Sequence, residues 1–452
     1  MRIVIVGAGE TGVTLASRFS AMNWDVVLID LSAEALADAD EGLDVMNLVG
    51  DATHRSVLER AGTGKAHAFA AVSGSDAQNL LSAALARTLG AEAAVARVDD
   101  PGFFAADVHV ESDLLGVHAV ISTPRLVASK LVDRMMGVHF DLVLTFALGG
   151  IRVGVLQAAR APSTLRQSAT SLKLPGGVQL MAVLRDGYVR PPAEVAAITE
   201  SDRLVLAGAP DCVASAWSSL IPGVADARAV VVGGGDVGVS LIQHLEPHVG
   251  RLELVEIERA CAQKLAEQFP DITVLVGDAR RSSFLEDLQI SSAQYVVAVT
   301  SEDETGLLIA LLARRLGVAQ TFSFIRQPGH AELFRAVGIE GATGLFDVVA
   351  SAATNTLVGR GIVRRVPVPG TSYELVEWRI ARAASDTASP SLDAVPLPAR
   401  CRLIAVAHGF QAAPVAPGTR LRAGDSMVIL APRGRIHDLE RSLKRFAREF
   451  GL

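Results

Sequence analysis

The sequence predicts an α/β fold in duplicate: two tandem doubly wound parallel-sheet domains, each followed by a small α+β domain. Three observations carry that expectation. Short β-branched runs alternate with segments of helical periodicity, a glycine-rich turn follows the first run of each half, and the same blocks recur in the same order half a chain apart. Alternation of this kind indicates parallel strands with helices on both faces.

The repeat is read by subtraction. RIVIVGAGETG at 2–12 matches RAVVVGGGDVG at 228–238, an offset of 226. VVLID ending at Asp30 matches LELVE ending at Glu256 at the same offset. VGDATHRSVL from Val49 matches VGDARRSSFL from Val276, and FAAVSGSDAQNLL from Phe69 matches VVAVTSEDETGLL from Val296, both at 227.

Within the first copy, apolar runs at 3–6, 26–29, 45–49, 68–73, 93–98 and 117–121 are strand-like. Val13-Leu15-Ala16-Phe19 and Leu80-Leu81-Ala84-Leu85 have helical spacing. Pro124 suits a first helical turn, continued by LVASKLVDRMM and matched by VVASAATNTLV from Val348. Residues 139–209 change texture, with runs at 140–148, 179–184 and 203–206 separated by turns such as Arg185-Asp186-Gly187. Residues 366–431 repeat that pattern with runs at 402–406 and 427–430 and the turn Ala423-Gly424-Asp425, and short helices close the copies near 211–220 and 435–446. The expected domains are 1–138, 139–222, 227–364 and 365–452. The Ser-, Pro- and Asp-rich stretch 381–398 reads as an exposed loop.

Composition narrows the class. The 452 residues are 50% hydrophobic and 20% charged, with a mean hydropathy of +0.35. No apolar run reaches the roughly 18 residues that span a bilayer, and MRIVIVGAGETG has no signal-peptide layout. Net charge is −7, and no basic stripe is evident, which argues against nucleic acid. Cys212, Cys261 and Cys401 form neither a disulfide framework nor a metal pattern.

Gly-x-Gly-x-x-Gly alone is weak evidence. Here it follows a strand, opens a helix, and is followed by an acid at the end of the next strand, the full Rossmann-like dinucleotide context. Gly7 permits the tight turn, Gly9 lets a pyrophosphate approach the backbone, and Gly12 lets helix and strand pack closely. The helix N-terminus supplies N–H donors to the phosphates. Asp30 is placed to accept ribose hydroxyls, and its charge would repel a 2′-phosphate, which favours NAD over NADP. Gly233, Gly235, Gly238 and Glu256 repeat the parts, although Asn79 becomes Gly306 and Arg97 becomes Phe324. Asp51 and Asp278, at the carboxyl edge of the third strand, read equally as helix N-caps or ligand contacts. Ser73 with Ser75-Asp76, and Thr300 with Glu302-Asp303, carry the same two readings.

Catalytic constellations are missing. Tyr188, Tyr295 and Tyr373 have no lysine four residues on, the ten histidines are scattered, and Pro247 interrupts the His244/His248 spacing. No metal set and no Gly-x-Ser-x-Gly is present. Two cofactor folds without an acid–base partner suggest sensing rather than catalysis, with an NAD-dependent oxidoreductase as the alternative.

The order VIVGAGETG, VVLID, VGDAT, AAVSGSDAQN, VARVDDPGF, then Arg185-Asp186-Gly187 and Ser201-Asp202-Arg203-Leu204, all duplicated, resembles the TrkA family of tandem RCK (KTN) proteins. These are cytosolic regulatory subunits of Trk-type potassium uptake systems. The resemblance spans essentially the whole chain. It implies NAD(H) binding with ATP or ADP as further ligands, and a tetrameric homo-oligomeric ring, peripheral on the inner face of the membrane, against a potassium-translocating subunit. A regulator of another RCK-gated cation transporter is the neighbouring alternative. By the resemblance, ligand positions are Gly7, Ala8, Gly9, Glu10, Thr11, Gly12, Asp30, Asp51, Ser73, Gly74 and Arg97. In the second copy they are Gly233, Gly234, Gly235, Asp236, Val237, Gly238, Glu256, Asp278, Thr300 and Ser301.

Overall fold

The first glycine turn joins β1 (Arg2–Val6) to α1 (Glu10–Ala21) in a computed structural model. It describes residues 1–450 apart from 41–42, 101–115, 147–149, 161–168, 170–171, 173, 175, 222, 328, 340–342, 358–360, 381–389, 409–410, 414, 417 and 423. The first copy continues through β2 (Asp25–Asp30), α2 (Ala33–Asp40), β3 (Met46–Val49), α3 (Arg55–Arg60), β4 (Ala68–Ala71), α4 (Asp76–Leu89), β5 (Ala94–Val98), β6 (Ala119–Ser122) and α5 (Thr123–Gly137). Its sheet has the order β3-β2-β1-β4-β5-β6, with every pairing parallel. Ile3, Val4 and Ile5 are all fully buried, because a strand covered on both faces has no polar side to alternate with. Strand order reverses between β1 and β4, so the turns that leave them open a crevice at the carboxyl edge.

A five-stranded antiparallel sheet follows, from β7 (Leu142–Phe146), β8 (Ile151–Gln157), β9 (Gln179–Arg185), β10 (Tyr188–Arg190) and β11 (Arg203–Gly208), in the order β10-β9-β11-β8-β7. Asp186 and Gly187, at φ 51° and 75°, make the tight β9–β10 turn in the left-handed geometry that two-residue hairpins favour. Helix α6 (Pro210–Leu220) ends the copy.

The second copy repeats the plan: β12 (Arg228–Val232), α7 (Asp236–Leu245), β13 (Arg251–Glu256), α8 (Arg259–Gln268), β14 (Thr273–Val276), α9 (Ser282–Asp287), β15 (Tyr295–Ala298), α10 (Asp303–Arg315), β16 (Gln320–Ile325), α11 (His330–Ala336), β17 (Thr343–Gly344) and α12 (Leu345–Leu357). Its sheet order, β14-β13-β12-β15-β16-β17, is that of the first copy. Then come β18 (Gly361–Pro367), β19 (Tyr373–Arg379), β20 (Arg402–His408), β21 (Gln411–Ala413), β22 (Ser426–Pro432) and α13 (Ile436–Phe450). Their order, β18-β19-β22-β20-β21, is the first small sheet read from its other edge. Of the expected loop 381–398, residues 381–389 lie outside the described residues. Residues 392–394 form a short 3₁₀ turn.

The units the chain forms are not contiguous in sequence. One gathers both parallel sheets, from Met1–Ala128, Val230–Ile242 and Glu253–Val358. Within it the copies interlock: α12 of the second copy lies against α1 and the β4–β6 side of the first sheet. Val349, Ala350 and Ala353 are fully buried there, and the Arg18 guanidinium donates to Ser351 Oγ at 2.9 Å.

The other unit gathers both antiparallel sheets. Phe146, Val153, Val155 and Val205 of the first share one core with Tyr373, Leu375, Ile404 and Val428 of the second. Arg152, 1% exposed, donates to Asp133 Oδ1 at 2.8 Å, to the Pro210 carbonyl at 3.0 Å and to Ser129 Oγ at 3.2 Å. Thr145 Oγ1 donates to the same carboxylate. The turn before the last strand of each sheet is pinned by a buried acid: Asp202 takes two N–H groups of Arg185, whereas Asp425 takes His408 Nδ1.

His248, 3% exposed, has no hydrogen-bond partner for Nδ1 among the described residues. Burial, reinforced by Arg152 and His244 and only partly opposed by Asp211, pushes its pKa down from 6.5 to about 4. The folded protein therefore keeps it neutral while the unfolded chain protonates it. Its contribution is complete above pH about 6.5 and falls as the pH drops towards 4, with a limiting slope of about 1.4 kcal/mol per pH unit. Urea midpoints across that window should be less acid-sensitive in His248→Leu than in the parent, and parallel curves would refute the assignment.

Candidate nucleotide-binding sites

Both glycine loops have the geometry that anion binding needs. Gly7 and Gly233 adopt φ of 104° and 111°, which only glycine enters without strain. Gly9, extended at φ −74° and ψ −179°, is the N-cap of α1. A Cβ there would meet nothing within 4 Å, and the same holds at Gly235. The chain thus leaves open space in front of a helix N-terminus whose first amides have no intrahelical partner.

Each loop is held by the acid of the next strand. Asp30 Oδ2 accepts the Ala8 N–H at 2.7 Å and Oδ1 accepts Ser32 N–H at 2.8 Å. Glu256 repeats this on Gly234 N–H at 2.7 Å and Glu258 N–H at 2.9 Å. A carboxylate offers about four acceptor positions, so each retains capacity for hydroxyl donors. Glu10 is the exposed first residue of α1, and Thr11 is buried in it.

Asp51 acts locally. Its Oδ1 accepts both the amide and the hydroxyl of Thr53, which hold its carboxyl below the usual range. The N-cap of α3 is His54, so of the two readings left open the cap is displaced by an Asx turn. Asp278 makes the equivalent turn with Arg280, whose guanidinium lowers its pKa. Ser75 caps α4 through Gln78 N–H. Asp76 and Asp303 are first helical residues rather than caps. Asp76 accepts the amides of Asp99 and Asp100, and Asp303 those of Arg326 and Gln327, which ties each helix start to the strand beside it.

Asn79, which becomes Gly306 in the second copy, and Arg97, expected as a first-copy ligand position, are both held by neighbouring residues. Asn79 is fully buried; its Oδ1 accepts Ser73 N–H and its Nδ2 donates to the carbonyls of Ser73 and Arg97. It is a strut between β4 and β5. Gly306 replaces it in the second copy because the space is taken: a Cβ there would lie 2.9 Å from Ser323 Oγ and 3.2 Å from Thr300 Oγ1. Arg97, paired with Asp99 and Thr123 Oγ1, lines the cavity of the second copy.

That cavity holds about 450 Å³. Its walls include Gly233, Gly234, Gly235, Asp236 and Val237, with Glu256, Asp278, Thr300 and Ser301. The first copy closes it with Arg97, Asp99, Thr123 and Pro124. Asp236 has its pKa raised by burial and then by Asp100, Asp99 and Asp76 across the junction. Sequence reasoning missed Arg280, Arg326 and the first-copy wall; no local signal announces which edge of one copy faces the loop of another. Gly238 sits behind the cavity, where a Cβ would come within 2.0 Å of the Gly233 carbonyl oxygen. Ser73 and Gly74 flank the first-copy loop: Ser73 is engaged with Asn79, and Gly74 faces open space. Among the described residues no cluster of His, Cys, Asp and Glu suits a metal ion.

The TrkA-N domain family profile matches residues 3–123 and 229–343. A Trk system potassium uptake protein TrkA homolog from Archaeoglobus fulgidus is 27% identical over 441 residues, covering 97% of this chain and 99% of that protein. A Trk system potassium uptake protein TrkA from Vibrio alginolyticus is 28% identical, covering 79% of this chain and 78% of its own length. Among solved structures, the GsuK RCK domain superposes with a TM-score of 0.56 at 18% identity, covering 98% of this chain and 95% of that one. The GsuK channel bound to NAD superposes with the same score at 18% identity, over 98% of this chain and 79% of that one. The two profile matches take up more than half of the residues and coincide with the two glycine-loop folds, so the chain belongs to the TrkA family of proteins with paired TrkA-N domains.

Proposed function

We propose that this chain is the regulatory subunit of a Trk-type potassium uptake system, binding NAD(H), and ADP or ATP as alternatives, at its two glycine loops. It passes their occupancy to a membrane-embedded potassium-translocating partner, as a ring of four copies on the cytoplasmic face. The observation that carries this reading is the repetition, in both copies, of a carboxylate seated on the amide of an open glycine loop. Full-length relatives in Trk systems supply the context. No helix among the described residues is long and apolar enough to cross a membrane, so the translocation path belongs to the partner.

Ala8, Gly9 and the first turn of α1 would hold pyrophosphate, and Asp30 the adenosine ribose. Gly234, Gly235 and Glu256 would do so in the second copy, with Arg97, Arg280 and Arg326 offering guanidinium groups to anionic portions of the ligand. A bound nicotinamide supplies hydride chemistry only where a proton-transfer group stands beside it. The titratable side chains among the described lining of the second cavity are carboxylates and arginines; the sensing reading rests on the Trk-system relatives, and a turnover assay tests it. A ligand moves the ring between states only by its difference in affinity for them.

NADH titrations test the assignment. Asp30→Ala and Glu256→Ala should each weaken one of two binding events by about tenfold or more, as expected for losing hydrogen bonds to a charged acceptor. Arg97→Ala should weaken the event that Glu256→Ala weakens. Unchanged affinity in both carboxylate variants would sink the site, and steady NADH turnover with any metabolite would sink the sensing role.

A further inference from the structure

The last helix carries a surface that the nucleotide sites do not use. Residues 433–450, the helix and the turn before it, hold six Arg or Lys against three carboxylates, in a chain of net charge −7. The expectation of no basic stripe is therefore overturned, because the stripe emerges only at helical spacing. His437, Arg441, Lys444, Arg445 and Arg448 fall at intervals that place them on one face of α13, and all five are exposed. Ile436, Leu439, Leu443 and Phe446 occupy the opposite face, buried against the second small sheet. Arg435 pairs with Asp438 and Lys444 with Glu440. Arg441, Arg445 and Arg448 have no carboxylate partner among the described residues. The equivalent helix of the first copy, α6, reads PDCVASAWSSL and has no basic residue.

We propose that the exposed face of α13 adsorbs to an anionic phospholipid surface. This deepens the membrane-peripheral role proposed above and rests on it. Charge complementarity selects the occupant. A protein partner would need apolar or aromatic anchors at the centre of the contact, and no large apolar side chain is exposed on the described part of α13. A bilayer needs none, since Lys and Arg near an anionic surface each contribute about 1 kcal/mol through the smeared potential of many headgroups. The apolar face of α13 is committed to its own core, so the contact is electrostatic adsorption without insertion. Such a contact orients the copies and is screened by salt.

The test uses the full-length protein with extruded vesicles of phosphatidylcholine alone or mixed with phosphatidylglycerol. Sedimentation with the mixed vesicles only, lost at high salt, is the expected result. The variant Arg441→Glu/Lys444→Glu/Arg445→Glu/Arg448→Glu should bind them at least about tenfold more weakly, with NADH affinity unchanged as evidence that the fold persists. Should that variant misfold, the corresponding Gln variant replaces it. Equal binding by variant and parent, or no binding to anionic vesicles, would overturn the proposal. So would vesicle-independent recruitment by an acidic protein, or duplex DNA binding of the same strength. Because NADH is titrated alongside, loss of nucleotide binding in the parent would count against the proposed function and not against this surface.

Discussion

Gly12→Ala should abolish nucleotide binding at the first copy and lower the melting temperature, whereas Gly9→Ala should weaken binding with only the small loss of melting temperature that a poorer N-cap brings. A Cβ on Gly12 would sit 1.8 Å from the Gly7 carbonyl oxygen and 3.0 Å from its carbon, so backbone meets backbone and neither element has room to yield. Overpacking of that kind costs about 3 kcal/mol or more. Gly9 differs because its backbone is extended and the space before it is open. Alanine is tolerated there by the protein and resisted sterically only by a ligand that must approach the amides. Melting curves and NADH titrations on the two variants separate the effects. Full NADH affinity in Gly9→Ala would mean that pyrophosphate does not use this loop.

Removing either member of the Arg152–Asp133 pair should destabilise the unit that holds it by about 3–5 kcal/mol, because the remaining buried charge loses its nearest partner. Among the described residues, Asp133 then keeps an ion pair only with Lys130, at 3.6 Å. The two side chains are 1% and 6% exposed, and between them they join α5, β7, β8 and the start of α6. The double variant Arg152→Met/Asp133→Leu should recover part of the loss, since apolar groups of similar volume need no partner, whereas Lys130 still loses its carboxylate. Urea denaturation of the three proteins measures the coupling. A single variant within about 1 kcal/mol of the parent would show that the pair is solvated or dispensable.

The duplicated fold was legible because each copy states its strands locally. RIVIV and RAVVV are buried on both faces and so appear as unbroken β-branched runs, and the glycine spacing marks the turn that follows. The positions of Gly7, Gly9 and Gly12 at the β1–α1 turn and of Asp30 at the end of β2 follow from the same local rules. Arg97 did not follow, since its destination depends on how one copy packs against the other, and no local pattern encodes that. The exchange of Asn79 for Gly306 is illegible for a related reason: the group that fills the space, Ser323, lies on a neighbouring strand and not in the motif. The basic face of α13 was hidden by its own acids, which dilute the charge in linear order and separate from most of the cations only when the chain winds into a helix.

The placement of α12 bears on what the tandem arrangement secures. Without the second copy, the face of the first formed by α1 and β4–β6 would lose the cover of α12 and the Arg18–Ser351 hydrogen bond. Were the second copy a separate chain, that cover would depend on association and would fall away on dilution. Holding both copies in one chain replaces that dilution-sensitive encounter with a fixed local concentration. Within one chain the two copies need not be identical, and Phe324 at the position of Arg97 and His408 at that of Arg185 are differences confined to one side.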